Sequence, residues 1–313
     1  MISKIDVHTH YLPPAYTEML RRRNLTLLDG GVPVPTWNMD MQLSLMDRLS
    51  VSTSLLSISS PHLHMGEPAE AIETARAANE YGSDLKKKYP GKIGIMASLP
   101  LPETEASIQE IQYCRDQLSL DGFALMTNSN GIYLGNPLLD PVMEKLDQIN
   151  AVVIIHPTQP SALPEGISEQ LIYPAMEFFF DTTRAVANML LNHIFSRYPH
   201  IRWIIPHAGA FLPILSDRLS AVTKIFGESC SSIEQDLSGL YYDLAGFSMP
   251  KQLEILRKVT SDTHLLYGSD STFTPADSCE ILKKEMDAHL NKELQTLVYQ
   301  ENARQLFPQF YSA

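Results

Sequence analysis

The sequence predicts an α/β protein of the (β/α)8 TIM-barrel class. It reads as one unit over residues 1–313, with a short insertion after the first strand. Two observations carry this. Short apolar runs alternate with longer segments of helical spacing, which is the pattern of a parallel sheet with helical crossovers. Most of these runs are continuously apolar rather than alternating, so both faces of the strands are covered. Eight runs in a chain of 313 residues suit a closed barrel better than an open sheet.

The runs, in order, are "KIDVHTH" (4–10), "STSLLSIS" (52–59), "KIGIMASL" (92–99), "DGFALMT" (121–127), "AVVIIHP" (151–157), "IRWIIPH" (201–207), "LYYDLAG" (240–246) and "HLLYGSD" (264–270). Helical spacing fills the intervals, for example 67–89, 103–119 and 181–199. Residues 20–36, "LRRRNLTLLDGGVPVPT", fit neither a strand nor a core helix and read as a lid after strand 1. No repeat, low-complexity tract or Gly/Ser linker divides the chain.

Composition narrows the partners. The hydrophobic fraction is 44% and the charged fraction 19%, with a formal net charge of −12. Nucleic-acid phosphates would be repelled by that charge. The basic runs at Arg21–Arg23 and Lys86–Lys88 are short enough to be solvated helix faces. Cys114, Cys230 and Cys279 are few, distant and odd in number, which fits a reducing cytoplasm. No signal-peptide core or membrane-spanning apolar run is visible, so no membrane partner is expected.

The polar residues are placed with more pattern. Strand side chains alternate between faces, so Asp6, His8 and His10 are expected on one face of strand 1, with Ile5 and Val7 on the other. Further polar groups fall at strand ends: His156, His207, Asp243 and Asp270. In a barrel of this kind the carboxyl rim is where ligands and chemistry sit. Unpaired imidazoles buried there are costly, and a divalent metal supplies their partner. His8, His10, His156 and Asp270 can converge as ligands. Imidazole nitrogens with one carboxylate suit Zn²⁺ first, with Mn²⁺ also compatible, and leave positions for water or substrate. His207 is placed to be either a fifth ligand or a general base. His62 and His64 follow strand 2 on the same rim, so substrate contact and simple loop exposure are both open. Tyr11 and Trp37 are placed to flank an aromatic ring.

The motifs DxHxH on strand 1, "HP" after strand 5, "PHAG" after strand 6 and "GSD" after strand 8 resemble the amidohydrolase superfamily. Within it they are similar to the amidohydrolase-2 group, which includes aminocarboxymuconate-semialdehyde, resorcylate and salicylate decarboxylases. The segments "WNMDMQLSLMD", "FDTTRAVANML" and "FSRYPHIRWIIPHAGAFLP" extend the likeness over nearly the whole chain. The resemblance implies His8, His10, His156 and Asp270 as metal ligands and His207 as the catalytic histidine. It also implies one metal, because strand 4 has no lysine to bridge a second. The implied activity is non-oxidative decarboxylation of a small aromatic or unsaturated carboxylic acid, with His207 or Asp270 delivering the proton. The same residues would serve hydrolysis of a lactone, amide or ester; a hydratase or a non-catalytic metal-binding protein are further alternatives. A homodimer or higher homo-oligomer is implied as well. One departure stands out: decarboxylases of this group commonly carry an arginine four residues before the "MD" of the first helix, where this chain has Gln42. Gln42 is therefore expected at the substrate, favouring monocarboxylates, unless Arg184 in "FDTTR" supplies the missing charge; a structural ion pair of Arg184 with Asp181 is the other reading of that residue.

Overall fold

The computed structural model describes residues 2–160, 162–163, 166, 171–226 and 233–310. Eight strands form the sheet: β1 (Lys4–His10), β2 (Val51–Ser57), β3 (Ile93–Ser98), β4 (Gly122–Met126), β5 (Val152–His156), β6 (Arg202–Ile205), β7 (Tyr241–Asp243) and β8 (Leu265–Leu266). They lie in sequence order, each parallel to the next. The last strand returns to the first. Val7 N–H donates to the Tyr267 carbonyl at 3.0 Å, Asp270 N–H donates to the His8 carbonyl at 2.8 Å, and Thr9 bridges Ser271. These bonds close the barrel.

Strand parity divides the core in two. Ile5, Val7, Leu55, Met96, Ala124, Val152, Ile154, Ile204 and Leu266 form one cluster, capped by Leu306, Phe307 and Phe310 of the C-terminal segment. This is the barrel interior. Their neighbours, among them Leu56, Ile95, Phe123, Val153, Ile205 and Leu265, pack outward against the helices. Each such Leu, Ile or Phe removes enough apolar surface from water to stabilise the fold by about 1.5–3 kcal/mol.

The connecting helices begin with α1 (Pro14–Arg22), α2 (Met39–Leu49) and α3 (Pro68–Lys88), and continue with α4 (Thr104–Tyr113), α5 (Asp140–Gln148) and α6 (Glu177–Leu191). Asn38 caps α2 by accepting from Met41 N–H at 2.9 Å, which satisfies one of the free amides of the first turn. Cys114 and Cys279 are buried free thiols; Cys230 lies outside the described residues. No helix among the described residues is long and apolar enough to cross a membrane.

One expectation about β1 fails, and the reason is local. Its pairing with β2 advances three residues, Asp6 to Thr9, against two, Ser54 to Leu56. A bulge of that kind breaks the alternation. Ile5 and Val7 therefore point into the barrel, and so do His8 and His10. Asp6 is turned away from the two histidines. Its Oδ1 accepts from His8 N–H at 3.2 Å and Ser269 N–H at 3.1 Å, fixing the bulge to the loop after β8. Burial raises the Asp6 carboxyl to about 7, against these hydrogen bonds, which pull it down.

Candidate metal centre and cavity

The carboxyl ends of β1, β5 and β8 bring four side chains together. One ligand atom from each of His8, His10, His156 and Asp270 lies within 4.8 Å of all the others. Parity puts His156 inside, two residues beyond Ile154. Gly268 makes room for His8: a Cβ there would stand 2.8 Å from the His8 Cβ. Asp270 turns inward through a left-handed backbone, φ 55°, which Asp tolerates better than most residues.

Each imidazole is held by its Nδ1, which leaves Nε2 for the centre. His8 Nδ1 lies 2.9 Å from Asp243 Oδ2, His10 Nδ1 3.1 Å from Ser57 Oγ, and His156 Nδ1 2.7 Å from the Pro157 carbonyl. His8 Nε2 and His10 Nε2 are buried and have no hydrogen-bond partner. Asp270 Oδ1 stands 3.5 Å from the first and 3.2 Å from the second. Two orphaned nitrogens facing a carboxylate fit a divalent metal, because a bound ion would satisfy all of them at once.

The electrostatics agree with a ligand set. Burial pushes the Asp270 carboxyl up, but the His10 and His207 rings beside it and the charge of His8 outweigh that and hold the carboxyl well below its usual range. Burial holds the His156 ring well below its ordinary value, with His10 and His8 acting in the same direction. His156 is therefore neutral and available as a donor.

Asp243 is the residue whose role the sequence did not disclose. It is fully buried, and its two oxygens do separate work. Oδ2 takes the His8 ring, while Oδ1 accepts from His207 N–H and Ala245 N–H, both at 3.0 Å. The signal was the carboxylate ending the apolar run "LYYDL", a position with nothing to neutralise it in a packed core. Asp243→Asn is expected to weaken metal binding by about 10- to 100-fold, the range for losing a carboxylate that orients a ligating histidine. Competition against a chelator measures it.

His207 stands beside the four. Its backbone is also left-handed, φ 54°, and its Nε2 lies 3.6 Å from Asp270 Oδ2. Phe179 stacks on the ring at 5.8 Å and 20°. A cavity of about 470 Å³ opens above, lined by His156, His207 and Asp270 and walled by Phe178, Phe179 and Phe273 among others. Its roof comes from two sides. The insertion contributes Asp29 and Val32, and the segment after β5 contributes Ile172 and Pro174. They meet at Gly30, whose φ is 76° and where a Cβ would fall 2.6 Å from Pro174 Cδ.

The structure does not bring the expected substrate contacts to this cavity. Tyr11 follows His10 and so points outward, its hydroxyl donating to the Ala78 carbonyl at 3.2 Å, with the Trp37 ring 5.9 Å away. Gln42 is buried behind the barrel wall. It donates to Ser54 Oγ at 3.2 Å and accepts from Trp37 Nε1 at 3.3 Å. Ser54 has the outward parity of its strand, which explains the displacement. Arg184 is exposed on α6, with its guanidinium 5.9 Å from the Phe180 ring. Asp181 is bonded instead to Thr127, Asn128 and Tyr133. His62 has a buried Nε2 without a partner, and burial lowers its ring to about 3. His64 contacts Glu103 and Asn130. Neither histidine lines the cavity. Gln42→Arg is accordingly expected to leave the choice between mono- and dicarboxylates unchanged and to cost on the order of 2 kcal/mol, since it buries a guanidinium without a carboxylate. Denaturant melts with parallel binding assays check both halves.

Comparison with known proteins places this geometry in a family. The amidohydrolase family model matches residues 5–309. The 6-methylsalicylic acid decarboxylase of Penicillium expansum is 31% identical over 98% of this chain and 97% of its own length. A solved amidohydrolase II is 39% identical, covers 98% of this chain and 100% of its own, and superposes with a TM-score of 0.94. A dihydroxybenzoic acid decarboxylase from Polaromonas sp. JS666, solved with manganese and 2-nitroresorcinol, shares the fold at 19% identity, over 98% of this chain and 97% of its own, with a TM-score of 0.84. With the match running from β1 to the C-terminal plug, the chain belongs to the amidohydrolase family.

Proposed function

We propose that the protein is a metal-dependent, non-oxidative decarboxylase of a small aromatic carboxylic acid. The observation that carries this reading is one cavity with two parts: a histidine–aspartate ligand group at its floor and an aromatic wall above, with a further imidazole, His207, beside them. The relative that acts on 6-methylsalicylic acid supports the reaction class.

His8, His10, His156 and Asp270 would hold the ion; we assign Zn²⁺ first, with Mn²⁺ as the competitor, as in the manganese-bearing fold neighbour. When bound, it supplies Lewis-acid neutralisation of a substrate carboxylate or phenolic oxygen. His207 Nε2 holds the proton that goes to the ring carbon bearing the carboxylate. As that C–H bond forms, the C–CO₂ bond becomes the one to break. Its electron pair restores the aromatic ring, neutral CO₂ leaves, and solvent reprotonates His207. Asp270 Oδ2, 3.6 Å from His207 Nε2, is placed to orient the imidazole before transfer. Phe178, Phe179 and Phe273 keep water from the reacting carbon and favour loss of the charged carboxylate as neutral gas.

The test is a stoichiometry. Metal-loaded protein given hydroxybenzoates should release one CO₂ for each acid consumed. Acid formation from lactones or esters without CO₂ would replace this reading with hydrolysis.

A further inference from the structure

We infer that Asp29, on the insertion that roofs the cavity, is a specificity-determining residue that excludes substrates bearing a second carboxylate. The inference rests on the reading that the cavity takes an aromatic carboxylic acid. It departs from the sequence expectation, which gave this selection to Gln42.

Asp29 lines the same cavity as His156, His207 and Asp270. Its Oδ2 is fully engaged. It accepts from Ser60 Oγ, from Thr158 Oγ1 at 2.6 Å and from Gln159 N–H at 3.0 Å. These donors come from the ends of β2 and β5, so the carboxylate is pinned to the barrel rim and cannot turn aside. Its Oδ1 has no hydrogen-bond partner among the described residues. That oxygen is the one left for a ligand, and it is an acceptor only.

The charges around it all weigh the same way. Among the described residues, no Lys or Arg lines the cavity. The nearest basic run is already paired: Arg21 with Glu18, Arg22 with Glu18 and Glu70, and Arg23 with Glu70. A first carboxylate is neutralised at the metal centre. A second one, directed to the roof, would lose its hydration and meet a fixed like charge with no cation. A hydroxyl in that place would instead donate to Oδ1, a charge-assisted hydrogen bond.

Equilibrium binding to the metal-loaded protein at 4 °C separates charge from size. The ligands are salicylate, 4-hydroxyisophthalate (a salicylate with a second carboxylate) and the isophthalate with that second carboxyl as its methyl ester. Salicylate and the bulkier ester should bind at least about tenfold more tightly than the free dicarboxylate, the low end of the cost of a like-charge contact. In Asp29→Asn, the amide oxygen can still accept from Ser60, Thr158 and Gln159, and the penalty against the dicarboxylate should fall by at least about tenfold. Three results overturn the inference: equal binding of mono- and dicarboxylate, exclusion of the ester together with the dicarboxylate, or an unchanged preference in a folded Asp29→Asn protein. The wild-type series stands if that variant fails to fold. Binding is read as a dissociation constant rather than as a rate, so absence of CO₂ release would strike the decarboxylase reading and leave this one to its own measurement.

Discussion

Asp270→Asn is expected to lower metal affinity by more than about a hundredfold and to remove turnover with it. Losing a group that merely orients a ligand costs about 10- to 100-fold, and Asp270 is proposed as a ligand itself. Its carboxylate is the one anion among four donors, kept ionised by His10, His207 and His8 against the effect of burial. An amide has neither that charge nor its affinity for a divalent cation. Asn is the informative replacement because the backbone here is left-handed, φ 55°, a region that Asn enters as readily as Asp. Ala would add backbone strain and confuse the result. Metal content after dialysis against a graded chelator measures the affinity, and CO₂ release in excess metal measures the activity. A folded Asp270→Asn protein that keeps wild-type affinity would remove Asp270 from the ligand set.

Much of the fold was legible because buried parallel strands have a plain signature. β1 occupies the residues expected, Lys4–His10, and β5 lies within its expected run. The convergence of His8, His10, His156 and Asp270 was legible for a related reason. A polar residue that ends an apolar strand in a barrel has nowhere to go but the rim. What failed was anything that needed the side of the wall. Asp6 was grouped with the histidines by unbroken alternation, and the bulge between Asp6 and Thr9 is a property of the pairing with β2, not of β1's own sequence. Tyr11, Trp37 and Gln42 were assigned by nearness along the chain, yet Tyr11 falls on the outward parity and Gln42 packs against the outward-facing Ser54. Asp29 was hidden within a loop without periodicity. Its partners Ser60, Thr158 and Gln159 lie 31, 129 and 130 residues away, a distance that no local pattern spans.

His207→Ala and His207→Asn are expected to cut kcat by at least about a hundredfold while most of the metal stays bound, the lower scale for a lost general acid or base. The geometry separates His207 from the ligand group. Its nearest contact there is Asp270 Oδ2 at 3.6 Å, and it is absent from the four-residue set whose ligand atoms lie within 4.8 Å of one another. Its position is instead fixed through the backbone by Asp243, whose Oδ1 accepts the His207 amide at 3.0 Å, and through the ring by the stacked Phe179. Neither restraint needs the imidazole to bind an ion. Because φ is 54° at this residue, the Asn variant keeps the backbone comfortable, whereas Ala carries some strain. Agreement between the two variants would therefore locate the loss in the missing proton donor rather than in local unfolding. Metal analysis of each variant, with kcat and KM measured separately on one hydroxybenzoate, decides the role. A fall in kcat with metal retained assigns the proton to His207. Stoichiometric loss of metal from a folded variant would make His207 a fifth ligand and leave Asp270 to carry the proton.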